Sequence, residues 1–166
     1  MLFALTAVSA AVALLLTGAI AGLFYGYSVS VMPAFDGIAV EQAVSAMRSV
    51  NEKILNGRFF ASFLGTPLAS AVTGGLLLAL GETPAAVLFF AAAATYVLGA
   101  FLPTAVVNVP MNRALAEATV PADPDEAARL WVEFSGRWTR WNTIRAVFCL
   151  VSLLLVGLAV FVWARS

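Results

Sequence analysis

The sequence predicts an all-α fold: a bundle of four transmembrane helices, with an amphipathic helix in the first connection and a helical third connection. Three observations lead there. Of the 166 residues, 62% are hydrophobic and only 11% charged, whereas a soluble domain carries about 25% charged residues. The apolar residues fall into four blocks, about 2–32, 59–80, 85–107 and 146–163, close to or above the roughly 20 residues that cross a bilayer. Eight of the nine Lys and Arg residues (Arg48, Lys53, Arg58, Arg113, Arg129, Arg137, Arg140 and Arg145) lie in or beside the first and third connections, and only Arg165 lies at the opposite end. That asymmetry marks the cytoplasmic side. The expectation is one multi-pass domain over residues 1–166 in the cell inner membrane, with both termini outside.

The first block is longer than a span requires. It continues as "GLFYGYSVSVMPAF" from Gly22, adding Tyr25, Tyr27, Ser28, Ser30, Met32 and Pro33 where a plain anchor would end. It has no basic region ahead of it and runs on past Ile20, so it reads as a retained helix rather than a cleaved signal. Gly18, Gly22 and Gly26 are spaced four apart, as helices that approach closely require. Packing inside the bundle is the favoured use of this row, and a homo-oligomer contact is the other. Tyr25, Ser28 and Met32 share one face by helical spacing, so Tyr25 and Ser28 are expected to line a pocket, with Tyr27 pointing elsewhere.

In the first connection, Val40, Ala43, Val44, Met47, Val50 and Ile54 recur at helical spacing, with Glu41, Gln42, Arg48, Glu52 and Lys53 on the other faces. This is the pattern of an amphipathic helix on the bilayer or on the bundle, ended by Asn56-Gly57. The second and third spans are joined only by Gly81-Glu82-Thr83-Pro84. Glycine suits the helix stop, Thr83 the N-cap and Pro84 the first helical position.

The third block closes on Pro103 and "NVPMNR", in which Pro110 separates Asn108 from Asn112. Proline frees a backbone carbonyl, which an asparagine can satisfy. After Pro121, Asp123-Pro124-Asp125-Glu126 supplies a cap and a first-turn proline. A helix starting there can run into the fourth span, with Gly136 its weak point. Along "WVEFSGRWTRWNTIR", Trp131, Trp138 and Arg145 are seven apart, and Phe134, Trp141 and Asn142 fill the intermediate places. A tryptophan belt accounts for much of this. It accounts less well for Asn142 and Arg145, which lie nearest the apolar run, where an ionisable group marks function by default.

Zero net charge offers no footprint for nucleic acid. The lone Cys149 cannot form a disulfide within the chain. Absence of histidine removes the commonest general base and metal ligand. No metal or other cofactor is expected.

The ordered set "GLFYGYSVSVMPAF", "NEKILNGRFFASFLGTP", "VNVPMNRALA" and "FSGRWTRWNTIRAV" resembles the anthrone oxygenase-like family of small four-helix membrane proteins over almost the whole chain. Characterised members oxidise an anthrone to an anthraquinone with dioxygen, with no established metal or flavin. The resemblance implies that Asn51, Asn56, Asn108, Pro110, Asn112, Trp138, Trp141, Asn142 and Arg145 are family-type positions. It departs at Thr143, where the family pattern often has histidine.

On this reading the protein is an oxygenase-like enzyme acting on a flat, apolar phenolic or quinone-like molecule drawn from the bilayer. Arg145 would hold an oxyanion, Asn108 and Asn142 would orient it, Tyr25 would relay a proton and Glu52 would stand in as base. Ser28, Met32, Asn56, Arg58, Asn112, Trp138 and Trp141 would bind the substrate, the tryptophans by stacking. The rival reading is a non-catalytic protein that binds a lipid, a quinone or a partner helix. Transport is weaker, because nothing repeats and no acidic residue lies within the spans.

Overall fold

The computed structural model describes all 166 residues as five helices and no strands: α1 Leu2–Asp36, α2 Val40–Lys53, α3 Gly57–Ala79, α4 Thr83–Glu117 and α5 Pro124–Trp163. All but α2 are long and apolar enough to cross a membrane. They form an up-down ring in which α1 packs on α3 and α5, and α4 on α3 and α5. At 1.5 Å per residue α3 is about 35 Å long, close to the bilayer's apolar thickness of about 30 Å. The 35 residues of α1 and of α4 and the 40 of α5 overshoot it, by roughly 20 Å or more. All three overshoot at the same end, where α2 packs across them.

The connections follow local chemistry. Gly81, at φ +82°, is the chain's one left-handed residue. Its N–H donates to the Leu78 carbonyl, and that of Glu82 reaches back to Leu77 at 2.9 Å. This closes the last turn of α3 as a glycine stop does. Thr83 is not the cap: α4 starts one residue early, with Glu82 in the cap position and no side-chain bond. Asp123 caps α5 by accepting from the Glu126 N–H at 2.9 Å. The helix continues through Gly136 unbroken, because the N–H of glycine sustains the helical ladder where proline would not.

Both α1 and α4 extend past the expected ends at residues 32 and 107, and prolines explain how. The helices widen at Tyr27–Val31, Val97–Phe101 and Thr104–Asn108. Each wide turn ends two residues before a proline: Pro33, Pro103 and Pro110. In each case the residue preceding the proline donates its N–H five residues back, Met32 to Tyr27, Leu102 to Val97 and Val109 to Thr104. The wider turn makes room for the ring, which in a regular helix meets the carbonyl four residues back. The helix therefore passes through each proline, at the cost of a shifted register. Pro67 sits in α3 without such a turn.

Three apolar clusters fill the bundle. One surrounds Leu77, Phe89 and Val156. The next joins Ile20, Phe24, Phe63, Tyr96 and Cys149. The third, at the overhanging end, gathers Met32, Met47, Leu115, Trp131 and Trp138, with Ala43 and Val44 of α2 buried in it. Arg48 fastens α2 there, donating through Nε and Nη2 to the Leu115 carbonyl at 3.0 and 2.8 Å and through Nη2 to that of Ala118. Asp36, at the end of α1, accepts from Trp131 Nε1 at 2.9 Å and from Ser135 Oγ.

The glycine row does not pack inside the bundle. A Cβ at Gly22 or Gly26 would meet nothing within 4 Å, and one at Gly18 only Leu153 at 3.9 Å. Four-residue spacing permits close approach without fixing which way the row faces, and the buried side of α1 is instead Thr17, Ile20, Ala21 and Phe24. The close approaches fall elsewhere. A Cβ at Gly74 would lie 2.9 Å from Phe90, and one at Gly99 only 1.9 Å from Phe148.

Candidate functional site

Where α3 begins, between the second and third clusters, lies a cavity of about 540 Å³, within the range of small-molecule sites. The helix α1 contributes Phe24 and Tyr27, and α4 contributes Thr104, Asn108 and Asn112. From α5 come Trp138, Asn142 and Arg145, while the end of α2 and the start of α3 add Asn51, Glu52, Leu55 and Phe59.

Arg145 is its electrostatic centre, only 4% exposed. Nη1 donates to Thr104 Oγ1 and Nη2 to Asn142 Oδ1, both at 2.8 Å. The guanidinium carbon lies 4.2 Å from the centre of the Phe24 ring and 5.4 Å from that of Trp138, within cation–π range. Nε has no partner. The chain's one ion pair is Lys53–Glu52 at 3.3 Å, with both side chains 76% exposed. No carboxylate therefore neutralises Arg145. A buried charge held only by dipoles and rings is costly unless something compensates it, so the cavity favours an anion.

Asn142 positions this arginine. Its Nδ2 donates to the Phe24 carbonyl and to Ser28 Oγ, both at 2.7 Å, while Oδ1 receives Nη2 of Arg145. Asn112 Oδ1 accepts from Trp138 Nε1 at 2.8 Å, which fixes the indole against the cavity. Tyr27 packs on Trp138 with ring centres 5.8 Å apart. Asn108 is buried, with Nδ2 facing the Trp138 carbonyl at 3.5 Å and Oδ1 unpartnered.

The cavity thus brings together Arg145, Asn142, Asn108, Asn112, Trp138 and Glu52, and leaves out others. Tyr25 is 54% exposed and off the cavity, contrary to the expected pocket-facing side. It follows the buried Phe24 by about 100° of helix rotation, so Tyr27, at i+3 from Phe24, takes the inward place. Ser28 reaches the site only through Asn142, while its hydroxyl also lies 2.9 Å from Oγ1 of Thr143, which is exposed and off the lining. Thr143 itself thus faces α1. Met32 is buried against α2 rather than open to the cavity. Asn56 caps α3, accepting from the N–H groups of Arg58 and Phe59 at 3.0 and 3.1 Å. Arg58 is exposed, and Trp141 is half-buried outside the lining. Thr104 was missed, although Thr104, Asn108 and Asn112 form a polar row four apart. No three His, Cys, Asp or Glu side chains converge anywhere as metal ligands would.

Four apolar helices around a cavity with an uncompensated arginine define a small multi-pass membrane protein. The family model described as anthrone oxygenase matches residues 58–155, more than half the chain, and the protein belongs to that family. The matched part holds Thr104, Asn108, Asn112, Trp138, Asn142 and Arg145, whereas α1 and α2, with Tyr27, Asn51 and Glu52, precede it. No curated protein and no solved structure matches the chain.

Proposed function

We propose that the protein is a membrane-embedded oxygenase for an anthrone-type substrate, a flat aryl ketone with an acidic C–H, taken from the bilayer and oxidised by dioxygen. The observation that carries this reading is Arg145: a buried guanidinium, oriented by Thr104 and Asn142 and open to an aromatic cavity, with no carboxylate partner.

Removal of one methylene proton gives an enolate whose oxyanion Arg145 stabilises. The enolate gives one electron to dioxygen, and the resulting radical pair joins as a carbon–oxygen bond. The peroxide takes up a proton, and loss of water leaves a second ketone. One CH₂ and one O₂ thus become one C=O and one H₂O, with the substrate supplying all the electrons. Glu52, the one carboxylate on the lining, is the base, and Trp138, Tyr27 and Phe24 hold the rings. The arginine-rich end faces the cytoplasm and both termini face outside, by the charge asymmetry of the connections.

A second reading, binding of a quinone-like molecule or lipid without turnover, is favoured by the 76% exposure of Glu52 and the absence of histidine. Oxygen uptake in nanodiscs supplied with anthrone separates the two. The enzyme reading expects uptake matched by anthraquinone formation, above the rate in empty discs and at least tenfold lower in Arg145→Met. Saturable anthrone binding with no excess uptake in the wild type would establish the binder instead.

A further inference from the structure

We infer that Val50–Leu55 is a lid, and that the ligand enters beneath it, sideways from the lipid leaflet at the arginine-rich end, through the gap that α3 leaves between α1 and α4. This rests on the cavity being the ligand site and adds a route into it. In the ring, α3 separates α1 from α4. It begins only at Gly57, however, while α1 and α4 run on to Asp36 and Glu117. Their overhanging ends leave an opening above the first turn of α3. The cavity lies there, with Leu23, Phe24 and Tyr27 on one wall and Thr104, Asn108 and Asn112 on the other. Because α3 is about as long as the apolar layer is thick, its first turn and the opening sit at headgroup depth. Val50, Ile54 and Leu55 lie across that opening, on the lining.

Little holds this segment down. The buried anchors of α2, Ala43, Val44 and Met47, all precede it, and so does the Arg48 clamp on the end of α4. No residue from Arg48 to Ser62 is buried. The side-chain bonds here are local: Asn56 Nδ2 donates to the Lys53 and Ile54 carbonyls at 2.8 and 3.3 Å, and Lys53 pairs with Glu52. None crosses from residues 49–56 to α1, α4 or α5. Val50, Ile54 and Leu55 line the cavity, yet none of them belongs to the three apolar clusters or packs against one. A segment with so few buried contacts opens at low local cost. Both of its ends are fixed, by Arg48 upstream and by the Asn56 cap of α3 downstream. Opening therefore needs only the last turn of α2 to fray, as helix ends readily do. A ligand beneath the lid would give Val50, Ile54 and Leu55 the apolar partner they lack, and so hold it shut.

Two measurements on the full-length protein in nanodiscs test the lid. The first needs no ligand. Backbone amides of residues 50–55 should exchange hydrogen about tenfold faster than those of residues 43–47 on the same helix, and equal protection overturns the inference. The second tethers the lid. In a Cys149→Ala background, which removes the only native cysteine, Leu55→Cys and Arg113→Cys put one thiol on the lid and one on α4, both exposed and both at the cavity. A bis-maleimide bridges the two thiols, and capping each with N-ethylmaleimide gives the control. 2-Naphthoate should enter the bridged protein about tenfold more slowly than the capped one. When bridging follows saturation, release should slow by a similar factor. Equal rates in bridged and capped protein overturn the lid. Failure of 2-naphthoate to bind any of these proteins, the wild type included, sinks the anion-binding reading of the cavity and leaves hydrogen exchange to judge the lid.

Discussion

Asn142 accepts a 2.8 Å hydrogen bond from Arg145 one turn further along α5, while its own amide nitrogen donates to the Phe24 carbonyl and Ser28 Oγ on α1. One amide thereby aims the guanidinium and joins two helices. Asn142→Leu would leave the charged Nη2 of Arg145 without its partner at a fully buried position, and would take one of two side-chain partners from Ser28 Oγ. A buried group so stranded costs about 1–3 kcal/mol. The expected result is a melting temperature in detergent lowered by several degrees, together with weakened anion binding. Intact binding in a folded Asn142→Leu protein would contradict the positioning role.

Gly99 and Gly22 should respond in opposite ways to added carbon. Gly99→Ala puts a methyl 1.9 Å from Phe148, and the clash involves the ring's attachment rather than its far edge, so α4 and α5 must separate. Overpacking of this kind costs roughly 1–3 kcal/mol. A Cβ at Gly22 meets nothing within 4 Å, so Gly22→Leu should leave melting in detergent unchanged. Thermal melts of both variants, side by side, check the pair.

Tyr25 and Tyr27 differ by two positions and should differ in consequence. Tyr27→Leu removes the ring that packs on Trp138 at the cavity and should weaken binding of an aromatic anion several-fold. Tyr25→Leu alters an exposed residue and should not. Titration with 2-naphthoate in nanodiscs distinguishes them.

Much of the fold could be read from the sequence because lipid imposes long apolar blocks, and because glycine at 81 and Asp-Pro at 123–124 punctuate helices by local chemistry. The polar end of the bundle was legible too: Asn108, Asn112, Trp138, Asn142 and Arg145 stand out because polar groups beside apolar runs are expensive. What could not be read was direction. A register counted evenly along α1 put Tyr25 inward, whereas the buried row through Phe24 places Tyr27 there and then crosses a wide turn ahead of Pro33. The glycine row has the spacing of a contact but faces outward, and the glycine in closest contact, Gly99, stands alone in the sequence. Asn51 and Thr104 join the site only once α2 folds over the bundle and α4 continues through Pro103.

Topology has its own check. Reporter fusions at Ser166 and within the Gly81–Pro84 turn should both report the outer side, given that the Lys and Arg residues gather at the opposite end. Cytoplasmic activity from either fusion would invert the membrane orientation proposed for the site.

The central claim is that Arg145 stabilises an oxyanion inside an apolar cavity. The most direct measurement is the absorbance titration of a bound phenol, 2-naphthol, in wild-type protein and in Arg145→Met. A neighbouring positive charge lowers the pKa of a phenol, and burial without one raises it. The account predicts that bound 2-naphthol ionises at a pH at least one unit lower in the wild type than in Arg145→Met. Identical titration in the two proteins, with binding intact in both, would contradict it.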